Sequence, residues 1–288
     1  MISDPVGGVF ALCLSRRGTL LSAGKDRTVA EWETTDLVRR RNPVELPDDA
    51  GTPKVILAVE GNQVVVGTTR NTLYVGDLET NFEEVVDGDS EDVTCCVAVQ
   101  SHLFITASAD GGVRQYNSST KKREWRKNYG EGITCSSVDP LGTSLALGFS
   151  GERINTADHC NPVLTQQHFP IRCYQGSATS GELVDHVYVR DAEWASCNCR
   201  VSYEAGCLAH SVEGITSMSR SNSKDRLVIG RDNGSLRLYS CPVLSTTAGF
   251  LALAGHSHAV SSVTYAGERL ITAGVTDNSL FQWKFHSN

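Results

Sequence analysis

The chain has no apolar run of 18 residues, so its sequence offers no transmembrane helix. Its opening, MISDPVGGVF, lacks the basic region and apolar core of a secretory signal. There is no Gly-rich phosphate loop, no HExxH and no GxSxG, so the usual signatures of nucleotide binding, zinc peptidases and serine hydrolases are missing. A cationic surplus is missing too: 26 Lys and Arg stand against 33 Asp and Glu, a net charge of −7. That balance disfavours nucleic acid and anionic membrane as partners, since both select basic faces. The ten cysteines, at 13, 95, 96, 135, 160, 173, 197, 199, 207 and 241, are too scattered for a small disulfide scaffold. Several fall in predicted strands, where a thiol behaves as a small apolar group, and a reducing, cytoplasmic setting is expected. Asn117-Ser118-Ser119 and Asn233-Gly234-Ser235 therefore read as turns and not as glycosylation sites.

What is present is a repeat. VFALCLSRRGTLLSAGKDRTVAEW (Val9 to Trp32) returns as VTCCVAVQSHLFITASADGGVRQY (Val93 to Tyr116). It returns again as ITSMSRSNSKDRLVIGRDNGSLRLY (Ile215 to Tyr239) and VSSVTYAGERLITAGVTDNSLFQW (Val260 to Trp283). Weaker copies start at Lys54, with its first apolar residue at Val55, and at Ile133. Starts at 9, 55, 93, 133, 215 and 260 are separated by 46, 38, 40, 82 and 45 residues. Most gaps match the roughly 40–45-residue period of a WD-repeat blade, and the gap of 82 hides one further slot, for which Ile171 to Trp194 is the candidate. LFITASA, SLALGFS, RLVIG and RLITAG are continuous apolar runs too short for helices, as expected of strands covered on both faces. The fold expected is an all-β propeller with six clear blades and a degenerate seventh. It forms a single domain over 1–288 with an irregular segment at 159–213. After Trp283 no outer strand follows, so the last blade should have three strands, or a short fourth from Ile2 to Asp4; closure by the N-terminal strand is weak or absent.

The repeat also assigns side chains. An acid lies six residues before the aromatic in Asp26/Trp32, Asp110/Tyr116 and Asp277/Trp283, and Asp232-Asn233-Gly234 holds this place before Tyr239. A short carboxylate there can accept backbone N–H groups and hold a tight turn. Ser22, Thr106 and Thr272 are positioned to add a hydroxyl, and His256 follows Gly255 as in WD repeats. Periodic recurrence makes Asp26, Asp110, Asp232, Asp277 and His256 blade-fixing groups and not catalysts.

Other constellations are weaker. Cys197, Cys199, Cys207 and His210 supply four zinc-type ligands, but Cys-x-Cys is unusual spacing for a structural zinc, and in a strand 197 and 199 share one face as core residues would. His159-Cys160, His168, Asp185 and His186 carry no orienting partner in the sequence. No catalytic residue, metal or cofactor is assigned. Two basic runs stand out, Arg39-Arg40-Arg41 and Lys121, Lys122, Arg123, Trp125, Arg126 and Lys127. Cations on an edge strand prevent sheet-to-sheet aggregation; Trp125 among cations also has the composition of an interaction hot spot.

The first block, together with VVVGTTRNTLYVG, VRDAEWASCNC, GSLRLYSCP and GHSHAVSSVTYAGERLITAGVTDNSLFQW, resembles the second propeller of echinoderm microtubule-associated protein-like proteins. The resemblance covers both ends well and the middle poorly, and between Gly148 and Val189 the chain looks shorter than the family pattern. Family members carry a tandem propeller, a hydrophobic signature motif, a coiled coil and a basic region that this sequence does not show. The resemblance implies a non-enzymatic scaffold that binds tubulin, microtubules or other cytoskeletal partners in the cytoplasm. A general adaptor, such as a substrate-recruiting propeller in a ubiquitin or signalling complex, stays open, and an enzyme on the same scaffold would need convergent acids or ligands that the sequence does not display.

Overall fold

The computed structural model describes residues 7–85, 92–100, 102–130, 132–138, 144–149, 171–175, 180–183, 214–243, 245 and 247–285. These form six antiparallel sheets, five of four strands and a last one of three. We call them blades one to six. Their innermost strands are Val9–Leu14, Pro53–Ala58, Val93–Gln100, Ile133–Val138, Ile215–Arg220 and Val260–Ala266. Each blade is an antiparallel meander running from this strand outward.

Blades pack face to face, and the core is a stack of layers between them. Leu20, Ala30 and Trp32 of blade one join Ile271, Ala273 and Leu280 of blade six. The adjacent Leu21 and Ala23 point the other way, to Val64, Val66 and Tyr74 of blade two. In the same manner Val65 and Val75 meet Phe104 and Tyr116 of blade three, while Ile105 and Ala107 face Leu145 and Leu147 of blade four. Successive residues of a strand point to opposite faces. Because both faces are covered, the second strands lose polar alternation and read as continuous apolar runs, which is why LLSAG is fully buried along its length. The innermost strands of blades five and six, six and one, one and two, two and three, and three and four are in contact. Blade six thus packs on blade one, where Arg269 Nη1 and Gln282 Nε2 both donate to the Thr34 carbonyl, at 3.0 and 2.6 Å.

Every first hairpin carries a one-residue register slip at its start, at Val9/Ala11, Pro53/Val55, Ala107/Ser108, Ile133/Cys135, Ile215/Ser217 and Val260/Ser262. Such bulges bend a strand and re-aim the extra residue. In three blades that residue is Thr94, Thr216 or Ser261, and its hydroxyl reaches across to the next blade. Thr94 Oγ1 donates to the Ile133 carbonyl at 2.6 Å, Thr216 Oγ1 to that of Val260, and Ser261 Oγ to that of Val9. In blade two the same position is Lys54, whose ammonium pairs with Asp92 at the entry to blade three. A recurring bulge residue therefore links neighbouring blades at one end of their inner strands.

Two expectations meet the structure in the middle and at the end of the chain. Ile171–Gln175 and Ser180–Leu183 do not open a separate slot: they pair antiparallel onto Ser144–Phe149 as the third and fourth strands of blade four. A lone two-stranded hairpin is marginal, so the hairpin begun at Ile133 is extended by these two strands, and sequence spacing carries no record of that pairing. The rest of the 159–213 segment lies outside the described residues. Blade six has three strands among the described residues, and Ile2 to Asp4 lies outside them.

Candidate functional site: the last-blade network and the basic outer strand of blade three

The tight turns bring the repeat's polar residues to defined partners. Asp26 Oδ1 accepts the Thr28 N–H at 3.1 Å, and Asp110 Oδ1 accepts the Gly112 N–H at 2.7 Å. In blade five the acceptor is Asn233, which takes the Ser235 N–H at 3.1 Å, whereas Asp232 is exposed and its backbone N–H donates to the Gly214 carbonyl. The reason is register: Asn233, not Asp232, stands six residues before Tyr239. The aromatics line the layers between blades. Trp32 is 1 % exposed and donates to Ser22 Oγ at 2.8 Å, Tyr116 stacks on Phe104 with centroids 5.4 Å apart, and Tyr239 is buried against Phe250.

Blade six builds a four-residue relay. Trp283 Nε1 donates to Thr272 Oγ1 at 3.1 Å, and Thr272 Oγ1 lies 2.8 Å from His256 Nε2. His256 Nδ1 lies 2.8 Å from Asp277 Oδ2. One assignment satisfies all of it: the indole N–H to the hydroxyl, the hydroxyl proton to Nε2, and Nδ1–H to the carboxylate. Partial burial works to raise the Asp277 carboxyl, but bonds from His256 and Ser279, with the Ser257 N–H, hold it below its ordinary value. A Cβ on Gly274 would sit 1.8 Å from Asp277 Oδ1 and 2.6 Å from His256 Nδ1, so glycine is needed for the pair to meet. The Asp–His–Thr order has the layout of a nucleophilic triad. However, Thr272 is fully buried and its oxygen already receives the indole N–H, leaving no position for a substrate carbonyl. The relay ties His256, just before the inner strand, to the turn at Asp277 and to the second and third strands of the blade.

Blade three solves the same problem with different residues. Arg114, 8 % exposed, donates to Ser108 Oγ at 2.9 Å and to Asp110 Oδ2 at 3.0 Å. Arg114 was not among the residues expected to fix the blades; its signal in the sequence is an arginine four residues after the turn acid, between Val113 and Tyr116, both buried.

The two basic runs differ in fate. Arg39 lies over the Trp32 ring at 5.0 Å, Arg40 pairs with Glu33 at 3.2 Å, and Arg41 pairs with Glu31 at 2.9 Å and Glu79 at 3.4 Å. These contacts are internal, and Arg41 lines one side of a cleft of about 270 Å³ between blades one and two, together with Arg16, Arg17, Glu31 and Gln63. The second run forms the outermost strand of blade three, Lys122–Asn128, preceded by Lys121 at positive φ, which pairs with Glu83 of blade two. Lys122, Trp125, Arg126 and Lys127 are exposed and Arg123 is half-buried. Glu124, the one acid of the strand, is held by Gln115 Nε2 and Asn117 Nδ2, both at 3.2 Å, and Lys127 covers the Tyr129 ring at 4.9 Å. The structure therefore presents a cationic strand with a 39 %-exposed tryptophan on a chain of net charge −7.

Cys197, Cys199, Cys207, His210, His159, Cys160, His168, Asp185 and His186 lie outside the described residues. No group of three or more His, Cys, Asp or Glu is placed to hold a metal among the described residues. Cys13, Cys95, Cys96 and Cys241 are thiols, and burial pushes the Cys13 thiol up against the opposing bond from the Ala58 N–H.

Face-packed four-stranded meanders with a His–Asp pair tied to a buried threonine and tryptophan define a WD-repeat β-propeller. The fold is shared with a chain in the crystal structure of the mitotic checkpoint complex, with a TM-score of 0.69 at 14 % identity over 100 % of this chain and 92 % of that one. Over 96 % of its length the chain is 30 % identical to echinoderm microtubule-associated protein-like elp-1 of Caenorhabditis elegans, covering 39 % of that protein. It is 24 % identical to echinoderm microtubule-associated protein-like 2 of Rattus norvegicus and 22 % identical to protein-like 1 of Homo sapiens, covering 54 % and 43 % of them. Its curated relatives over 96 % of its length are echinoderm microtubule-associated protein-like proteins. It spans about two fifths to a half of the length of these curated relatives. The 348 aligned positions with the nematode protein exceed the chain's 288 residues by 60, so at least that many positions of the alignment have no residue here. That is more than one blade at the usual period. No family model matches the chain.

Proposed function

We propose that the chain is a non-enzymatic cytoskeletal scaffold, a single propeller domain over 1–288 corresponding to the second propeller of its relatives, which binds tubulin or microtubules in the cytoplasm. The reading is supported by the relatives' names, which are those of microtubule-associated proteins, and by a stack of face-packed blades, which serves recognition better than catalysis. The observation that carries it is the outer strand of blade three. A net charge of −7 repels an acidic protein surface on average, so contact has to be local. Lys122, Arg123, Arg126 and Lys127 concentrate positive charge along one exposed strand, Glu124 is occupied by neighbouring amides, and Trp125 supplies an apolar anchor. The test is co-sedimentation of the purified chain with microtubules, and pull-down of soluble tubulin, for the wild type and for Arg123→Glu/Arg126→Glu/Lys127→Glu. The triple variant should lose most binding, and the wild type should release with rising salt. Undiminished binding by the variant removes this strand from the interface, and absence of binding by the wild type refutes the reading.

A further inference from the structure

Edge strands are protected from self-association by shortness or by charge. The outer strands of the four-stranded blades follow that rule with one exception. Blade one ends in the two residues Val44–Glu45, blade two in Phe82–Glu84 with two glutamates, blade three in the heavily charged Lys122–Asn128, and blade four in Ser180–Leu183 with Glu182. The outer strand of blade five, Phe250–Ala254, reads FLALA. It lies in a stretch from 238 to 267 without one Asp, Glu, Lys or Arg, in a chain whose charged fraction is 20 %. No strand pairs with its outer edge among the described residues. Phe250 and Leu251 are 46 % and 56 % exposed, and Phe250 is held in place by the Arg237 guanidinium 4.2 Å above its ring.

We propose that this strand is the self-association edge of the protein, where a second copy of the chain adds antiparallel about a two-fold axis through Ala252. An isologous contact requires a patch that is complementary to itself. About that axis Leu251 stands opposite Leu253 of the second copy, Phe250 opposite Ala254, and Ala252 opposite itself. Bulky residues meet small ones or aliphatic ones, and no charge is duplicated. The same operation on Lys122–Asn128, about Trp125, would set Arg123 against Lys127 in both symmetric pairs, with Glu124 facing Arg126. Net charge sharpens the choice, because copies at −7 repel one another over most of their surface and the uncharged edge is where that repulsion is least. Joining the edges would satisfy the outward backbone groups of both strands and extend the two four-stranded blades into one sheet. A five-residue strand pair buries far less than the roughly 1,600 Å² of a standard interface, so the dimer is reversible and concentration-dependent.

The test is sedimentation velocity on the purified full chain across the micromolar to submillimolar range, with hydrogen exchange at the two concentration extremes. The wild type should pass from the 31.1 kDa monomer to twice that mass, and amides of residues 250–254 should gain protection as it does. Leu251→Lys, at an exposed side chain that leaves the circular dichroism unchanged, should weaken association about tenfold or more by placing a cation on the pairing edge. Ala252→Lys, which sets two lysines against each other at the axis, should abolish it. A wild type that stays monomeric throughout, an unchanged constant in Leu251→Lys, or growth past the dimer into open chains would each overturn the proposal.

Discussion

Thr272→Val is the most direct probe of what holds the last blade together. Valine keeps the volume and the β-branched shape of threonine, so the packing of this fully buried residue is conserved and only the hydroxyl is lost. That hydroxyl serves two partners: it receives the Trp283 N–H at 3.1 Å and lies 2.8 Å from His256 Nε2. Its loss orphans an indole donor and an imidazole acceptor, and the His256 side chain is 0 % exposed. Leaving a buried polar group unpaired costs about 1–3 kcal/mol. The indole is half-buried and can turn partly toward water, so its share falls at the low end of that range. The expected destabilisation is about 2–4 kcal/mol, read as a drop in the urea midpoint at an unchanged slope. Thr272→Ser, which retains the hydroxyl and loses one methyl, should cost only about 1 kcal/mol. Loss of less than about 0.5 kcal/mol in the valine variant, within the scatter of a neutral substitution, would refute the relay as a stabilising unit.

The blade linkers give a second expectation: Ser261→Ala removes the hydroxyl that bridges blade six to the Val9 carbonyl of blade one and should cost about 0.5–1.5 kcal/mol by chemical denaturation, with hydrogen exchange accelerating at the start of blade one. The third concerns pH. Asp277 is held below its ordinary value in the folded state, so its contribution is fully present above the unfolded-state range of aspartates, about 3.9, and is lost as pH falls through the depressed folded value. The urea midpoint of the wild type should therefore decline on acidification below about pH 4, and Asp277→Asn should flatten that part of the profile; an identical slope in the variant would refute the assignment.

Much of the architecture is legible in the sequence because a blade buries both of its faces. Five of the inner strands begin at the residue where the repeat begins, Val9, Val93, Ile133, Ile215 and Val260, and the other starts at Pro53, just upstream of Val55. The partner of a strand is not legible in the same way. Ile171–Gln175 has the length and spacing of a new blade's first strand, yet it completes blade four, because backbone pairing carries no side-chain signature. The turn acceptor shows the reverse: the six-residue rule of the repeat already picks Asn233, and attention to acid type alone leads to Asp232. The blade linkers were also written in the sequence as a recurring Val-Thr, Ile-Thr or Val-Ser pair at the block starts (93–94, 215–216 and 260–261). Their meaning depends on a bulge that turns the hydroxyl sideways, and bulges have no compositional mark of their own.

The basic strand and the acidic whole act over different distances. At physiological ionic strength charges are screened beyond about 8 Å, whereas a seven-residue strand is about 23 Å long. A surface approaching Lys122–Asn128 therefore feels mainly the cations of that strand once it is in contact, and the acids on other blades are largely screened from it. Before contact, the excess of acids opposes the approach of any acidic partner. The consequence falls on the rate of association more than on the strength of the complex, because long-range charge governs encounter while paired groups at the interface govern departure. Added salt then has two opposed actions: it relieves the repulsion that slows encounter, and it weakens the cationic contacts that hold the complex. If the strand is the contact, the second action dominates at equilibrium, since the contacts persist for the life of the complex and the repulsion is already screened once it forms. Arg126 and Lys127, exposed at the blade's outer edge, are the side chains on which that balance turns.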